Sequence, residues 1–338
     1  MILVRSPLRI SFVGGGTDLA PFFAQHPGRV VSATINKFVY VVVNSTPLIN
    51  KITVKYQKTE QVSHPSELEH PSIKAALIDL GLLEQGVEIG SFADLPSKIG
   101  LGSSSSFSVA LMKGLHAYRG RKLSKKEAAE AACRLEIDLL AEPIGKQDQY
   151  AAAFGGFNLF QFNPDRSVDV EPLLLDYKKR SLLEDHLLLF FTGITRSASS
   201  VLREQHSNIN NHLETYKKMA GAARVFSNCL MEGDMERMAA LLREGWLHKK
   251  KLASTITNAL INEFYESGMA SGALAGKILG AGGGGSLLFL APPHAHENII
   301  DMLETMARKN NLAEWKHIPF KFVQSGTDII FNRDGNIY

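Results

Sequence analysis

The decapeptide KIGLGSSSSF, residues 98–107, carries two glycines and four consecutive serines. Small residues let backbone N–H groups approach phosphate oxygens. A helix starting at that point adds further donors and a dipole that favours anions. The segment SFSVALMKGLHAYRG that follows has its apolar residues at helical spacing, so both conditions are met. The serine hydroxyls can donate to phosphate or supply an oxygen ligand to Mg2+. A serine-rich turn that merely caps a helix has the same composition.

Three further stretches could do chemistry. SPLRISFVGGGTDL, residues 6–19, places Arg9 on a strand ahead of three glycines, Thr17 and Asp18. Asp18 could bind sugar hydroxyls there, or simply form the turn or cap a helix. GAGGGGS, residues 280–286, has five glycines in seven positions, which is costly in unfolded-state entropy. It implies close backbone approach to something, unless it is a flexible hairpin. In LEIDLLAEPIGKQDQYAAAFGG, Glu136 and Asp148 are twelve residues apart. On one straight helix they would lie about 18 Å apart and could not share a site. Pro143 and Gly145 can turn the chain back and bring them together; a surface Glu and a helix-capping Asp would look the same.

The pattern G-x-x-x-x-G-K-[ST] is absent, because the Gly-Lys pairs at 145–146 and 276–277 are followed by Gln147 and Ile278. The protein-kinase signatures are absent as well. FVGGGTDL matches a dinucleotide-binding turn only in part.

The elements that must position these residues are mixed. LVRSPLRISFV, RVVSATI, KFVYVVVN, KITVKYQ and VEIGSF read as strands. ELEHPSIKAALIDLGL reads as helix, as does the stretch after Ser124, which with Glu127 forms a capping box. Pro143 should end that second helix. YKKR, residues 177–180, reads as a solvated turn, and residues 199–265 as two or three helices. KILGAGGGGSLLFLA is a strand–turn–strand unit, PHAHENIIDMLETMARKNN a helix, and WKHIPFKFVQSGTDIIF supplies closing strands. Strands and helices do not alternate regularly, so the class is α+β with largely antiparallel sheets. A boundary near 175 gives two domains, 1–175 and 176–338.

The 338 residues are 45% hydrophobic, enough for a sizeable core. The net charge of +3 is spread without a basic block, which argues against nucleic-acid binding. No apolar run approaches the roughly 20 residues needed to span a bilayer. No signal-peptide cleavage pattern is present, so the chain reads as cytoplasmic. Cys133 and Cys229 read as buried reduced thiols. HAH at 294–296 lacks a second ligand cluster and reads as a helix start rather than a metal site.

PLRISFVGGGTD, LPSKIGLGSSSS, GKQDQ and KILGAGGGGS together, in this order and spacing, resemble the GHMP small-molecule kinases. Within that superfamily, RSPLRISFVGGGTDL and GKQDQYAAAFGG look most like the D-glycero-D-manno-heptose 7-phosphate kinases. GGGTDL stands where galactokinases have a motif ending GEHTDY, and fucose-phosphorylating kinases share the QDQ. The resemblance implies a ribosomal-protein-S5-domain-2-like N-terminal domain and a ferredoxin-like C-terminal domain, with ATP between them. It implies an ATP- and Mg2+-dependent anomeric kinase of a phosphosugar, monomeric or homodimeric, with no nucleic-acid or membrane partner. A catalytically silent sugar or ATP sensor and an isoprenoid-pathway kinase are the rival readings.

By the same resemblance, Gly100, Leu101, Gly102, Ser103, Ser104, Ser105 and Ser106 wrap the triphosphate. Asp148 is the catalytic aspartate, paired with Arg9, and Glu136 and Ser104 are the Mg2+ ligands. Gly15, Gly16, Thr17, Asp18, Gly282 and Gly283 are expected at the sugar. A sugar carrying a distal phosphate needs a further cation. Arg196 in TGITRSAS is the first candidate, with Lys37 and Arg29 behind it.

Overall fold

Alternating and β-branched runs dominate the first third of the chain, and they pair into one large sheet. The computed structural model describes residues 1–83, 86–195 and 198–333. Its first half contains β1 (Ile2–Val13), α1 (Ala20–Phe23), β2 (Gly28–Ser45), β3 (Ile52–Lys55), β4 (Thr59–Val62), α2 (Pro71–Asp79), β5 (Val87–Ala93), α3 (Ser103–Tyr118), α4 (Lys125–Cys133), α5 (Gln147–Phe154), β6 (Phe157–Phe162) and β7 (Val168–Pro172). The second half contains α6 (Tyr177–Glu184), β8 (Leu187–Phe191), α7 (Ala198–Asn208), α8 (Leu213–Glu232), α9 (Met235–Lys249), α10 (Ala259–Ala270), β9 (Ala275–Ile278), β10 (Ser286–Leu290), α11 (His296–Lys309), β11 (Lys316–His317) and β12 (Asp328–Asn332).

The eight-stranded sheet runs β12-β1-β2-β5-β3-β4, with β6 and β7 branching from β2. The branch is possible because β2 is 18 residues long. Its Gly28–Ala33 stretch pairs β6, and its Val39–Ser45 stretch pairs β5 along the same edge. Antiparallel pairing prevails as expected, with β3–β5 a parallel exception. The smaller sheet, β11-β8-β10-β9, is wholly antiparallel.

The period of two along β10 divides the core. Leu287 and Phe289 face helices α8, α10 and α11, alongside Tyr216, Phe264 and Leu303. Leu288 and Leu290 face the other way, toward Leu8, Ile10 and Phe12 of β1 and Phe226 of α8. One apolar layer therefore joins the two sheets. Beneath the large sheet, α2 and α3 bury Leu77, Leu111 and Leu115, and α4 and α5 pack Ala128, Ala132 and Tyr150 against β6.

Several local expectations change. The helix expected from Glu67 begins at Pro71, because His70 caps it. YKKR is no turn: it opens α6, with the Asp176 carboxylate accepting from the Lys179 N–H as N-cap. Four α-helices, not two or three, occupy residues 198–270, since short breaks at Asn210–His212, Gly233 and 250–258 interrupt one continuous periodicity. The capping box at Ser124 forms, but that helix gives way at Arg134 to a π-helical segment ending at Leu139. The closing strands divide between the sheets. β11 joins β8, whereas β12 returns to pair with β1. A cut at 175 therefore leaves β12 outside the sheet it completes.

The return of the chain is tightly packed. Thr327 donates from its N–H and from its hydroxyl to Ala152 O, both at 2.9 Å, and Lys113 Nζ donates to Thr327 O at 2.6 Å. A Cβ on Gly326 would stand 2.2 Å from Ala153 O. Gly326→Ala should therefore lower stability by about 1–3 kcal/mol, the usual cost of overpacking. A urea-denaturation midpoint equal to wild type would show that β12 docks without this close approach.

Candidate active site

Arg9 lies on the face of β1 opposite Leu8 and Ile10 and is only 3% exposed. A buried guanidinium must have its donors satisfied. Its Nε and Nη2 donate to the two oxygens of Asp148, each at 2.7 Å, and its Nη1 donates to Gly100 O at 2.7 Å. The Arg9 N–H also donates to Leu101 O at 3.0 Å. β1 therefore holds both the aspartate and the glycine loop. Asp148 sits in the first turn of α5 and keeps 24% of its side chain exposed.

The serine run is the start of α3, with Gly102 as its N-cap at φ 76°. The helix begins at Ser103, three residues before the segment SFSVALMKGLHAYRG in which the helical spacing is read. A Cβ on Gly102 would lie 3.3 Å from Asp148 Oδ2, so the carboxylate faces the helix N-terminus. Only glycine meets both the left-handed backbone and that approach.

The π-helical segment turns Glu136 inward, marked by the Leu140 N–H bond to Leu135 O at 3.1 Å. Its carboxylate accepts from Ser104 Oγ at 3.0 Å and from Gln149 Nε2 at 2.7 Å. The chain between Glu136 and Asp148 does fold back, since Gln149 follows Asp148. Glu136 is 3% exposed and forms no ion pair among the described residues. Burial raises its pKa. Gln149 Oε1 is buried without a donor. A carboxylate and a hydroxyl that both line the cleft, the carboxylate without an ion-pair partner among the described residues, suit a hard divalent ion that keeps some of its waters. No group of three or more His, Cys, Asp or Glu comes together for a metal among the described residues.

Asp18 is buried in the turn after β1. Its Oδ1 accepts from Gly16 N–H at 2.9 Å and Gln147 Nε2 at 3.1 Å, and its Oδ2 from Gln147 N–H at 3.2 Å. Burial raises its pKa first, and the charge of Asp148 adds to the rise. Gly145 is required here because a Cβ would fall 1.9 Å from Asp18 Oδ2. Gln147 is held in turn by Ser11 Oγ, which donates to its Oε1 at 2.9 Å.

These groups meet in a cleft of about 990 Å3. Its wall includes Arg9, Gly15, Gly16, Asp18, Gly100, Gly102, Ser103, Ser104, Ser105, Glu136, Asp148 and Gly282. Four expected residues are not in that wall. Leu101 is fully buried in the core between the sheets. The Ser106 hydroxyl is spent on Pro7 O at 2.8 Å. Thr17 Oγ1 bonds the backbone of Arg29, and Gly283 N–H donates to Ile256 O at 2.7 Å. Arg29 turns to Gln161, and neither it nor Lys37 lines the cleft. Arg196 lies outside the described residues.

The glycines of 280–285 approach the chain itself. A Cβ on Gly280 would meet Gly100 Cα at 2.8 Å, one on Gly282 would meet Ile256 O at 2.7 Å, and one on Gly284 would meet Ile194 O at 2.6 Å. The loop thus seats the small sheet's hairpin directly on the serine loop.

Sequence reasoning missed Gln147, Gln205, Glu142, His70 and Lys249, all of which line the cleft. Lys249 heads the run Lys249–Lys251, which has the look of a solvated helix end. The residue is 7% exposed, and its ammonium donates to Gly280 O. Burial, then the nearby Arg9 charge, push its pKa down to about 8. Lys277 is buried too, donating to Ser11 O at 2.9 Å and Phe12 O at 2.7 Å, and burial lowers its pKa strongly.

The profile of the GHMP kinases N terminal domain matches residues 71–156, and that of the GHMP kinases C terminal region matches 227–309. The chain is 29% identical over 315 residues to the D-glycero-alpha-D-manno-heptose 7-phosphate kinase of Campylobacter jejuni, covering 89% of this chain and 93% of that one. It is 26% identical to the bifunctional fucokinase/GDP-fucose pyrophosphorylase of Arabidopsis thaliana, over 85% of this chain and 30% of that one. The crystal structure of a D-glycero-D-manno-heptose 1-phosphate kinase from Bacteroides thetaiotaomicron superposes with a TM-score of 0.77 at 28% identity, covering 97% and 98% of the two chains.

Glu136→Gln replaces a carboxylate by a neutral amide of the same shape. It should raise the Mg2+ concentration needed for half-maximal ATP turnover. A metal titration that superposes on wild type would remove Glu136 from the metal's ligands.

Proposed function

Because the chain belongs to the GHMP kinase family, we propose that it phosphorylates D-glycero-D-manno-heptose 7-phosphate at C1, using ATP and Mg2+, to give the 1,7-bisphosphate. The buried bidentate Arg9–Asp148 pair at the N-terminus of α3 carries the kinase chemistry in this reading. The choice of sugar is supported by the likeness to the Campylobacter jejuni heptose 7-phosphate kinase across both halves of the chain.

The triphosphate lies along Gly100–Ser105, where the α3 N–H groups and serine hydroxyls meet anionic oxygens. Asp148 accepts the proton of the attacking anomeric hydroxyl. The sugar oxygen then bonds to the γ-phosphorus, the bond from that phosphorus to the β–γ bridging oxygen breaks, and ADP leaves. Arg9 holds Asp148 aimed through its two hydrogen bonds. Glu136 and Ser104 would hold Mg2+, which when bound neutralises phosphate charge. Asp18, fixed by Gln147 and Gly16 beside Asp148, presents its remaining lone pairs to the sugar hydroxyls.

A silent sensor would have no use for Arg9, Asp148 and Glu136 together, which favours an enzyme. Fucose is the second reading, supported by the likeness to the Arabidopsis thaliana fucokinase. No helix among the described residues is long and apolar enough to cross a membrane. The enzyme is proposed to act in the cytoplasm on a small phosphosugar, as a monomer or homodimer. Residues 1–175, with β12 added, would carry the ATP loop and catalytic groups, and the remainder the C-terminal domain.

Two measurements check this reading. Purified protein with ATP–Mg2+ should turn over heptose 7-phosphate faster than fucose, galactose or mevalonate, and 31P NMR should place the new phosphate on C1. A new phosphate on another carbon, or faster turnover of fucose, would replace the assignment. Asp148→Asn should lower kcat by at least about 100-fold, the lower range for losing a general acid–base group, with little change in the KM for ATP. A near wild-type kcat would exclude Asp148 as the proton acceptor.

A further inference from the structure

We propose that Lys249 is a catalytic residue of this kinase: its ammonium binds the phosphoryl group during transfer and balances charge that Arg9 cannot. Lys249 is the last residue of α9 and reaches the cleft from the C-terminal half. Its Nζ donates to Gly280 O, and among the described residues no carboxylate forms an ion pair with it. An ammonium has three donors, so two remain for an incoming oxygen.

The position suits that oxygen. Gly280 packs on Gly100, and Gly100 O is the acceptor of Arg9 Nη1. The ammonium is therefore one peptide contact away from the triphosphate loop and near enough to Asp148 to feel its charge. The other cations nearby are unsuited. Both carboxylate-facing nitrogens of Arg9 are occupied by Asp148. Lys277 is turned to the Ser11 and Phe12 carbonyls, and Lys98 is exposed to solvent. Transfer spreads negative charge over the phosphoryl oxygens. A buried cation that forms no ion pair among the described residues is what that charge would select.

The groups around it set the sign of the pH effect. Burial and Arg9 from β1 disfavour the ammonium, and its charge in turn disfavours that of Lys277 on β9. Asp18 after β1 and Asp148 from α5 favour it, and the Tyr216 phenol of α8, beside Asp18, stays protonated. In the free enzyme the lysine is charged below about pH 8 and neutral above it. Activity that needs the charge must fall as pH rises through that value. A lysine acting as a base would give the opposite slope. Bound phosphate favours the ammonium, so the fall in kcat should lie at higher pH than the fall in kcat/KM for ATP.

The inference rests on phosphoryl transfer and not on which sugar is used. The assay therefore takes whichever sugar of the panel the wild type turns over fastest, so that a wrong sugar assignment leaves this test intact. Lys249→Met should lower kcat about 100-fold or more, the loss typical of a preorganised electrostatic group, and should erase the alkaline fall. Lys249→Arg, charged at every assay pH, should retain more activity than Met and move the fall beyond pH 10. Because Met removes a buried charge, its Tm should not drop. A kcat within about threefold of wild type in the Met variant, or an alkaline fall unchanged in both variants, would overturn the proposal. So would activity that rises through pH 8. A lowered Tm with the pH profile unmoved would reduce Lys249 to a strut for the glycine loop.

Discussion

Three hydrogen bonds from one buried arginine hold the catalytic end of this molecule together. Arg9 bonds an aspartate on α5 and a carbonyl of the glycine loop, while its own strand lies between β12 and β2 in the large sheet. Removing one partner of such a pair typically costs about 3–5 kcal/mol, because it strands a buried charge. The sheet, the loop and Asp148, the proposed proton acceptor, are thus placed by the same guanidinium. Tuning the chemistry by altering this pair would also loosen the fold.

The second constraint is steric. Gly100, Gly280 and Gly285 stack backbone on backbone, and a Cβ on Gly285 would lie 2.9 Å from Ile99 O. The hairpin of the small sheet therefore presses on the glycine–serine loop ahead of α3 without side chains between them. Ser286 Oγ donates to Ile99 O at 2.8 Å and finishes the joint. The catalytic cleft sits on this seam, which explains why its walls come from both halves.

What the sequence made legible was local or carried by composition. The Ser124–Glu127 capping box, the helix after the serine run and the strand–glycine–strand unit follow from patterns a few residues long. The glycines of 280–285 were correctly read as a close approach, but their partner is the chain itself, which only the fold reveals. Lys249 was invisible because one buried lysine among three looks like a solvated run. The π-helical turn at Glu136 was hidden too, since it depends on what the helix packs against and not on its own propensities. Thr17 and Ser106 have the right chemistry for a ligand, yet backbone carbonyls claim their hydroxyls first.

The pairing of β1 with β12 has a consequence for how this chain is made. Ile2 lies opposite Asn332, so partners at nearly the largest possible separation must meet. During synthesis the ribosome releases β1 long before β12 exists. For that interval one edge of the growing sheet offers unpaired backbone groups, a template for pairing with other nascent chains. Contacts this remote also form slowly, because a long loop must close before they stabilise anything. The last strand thus acts as a latch on a sheet laid down at the start of translation, and the nascent protein is most in need of chaperone protection until it closes.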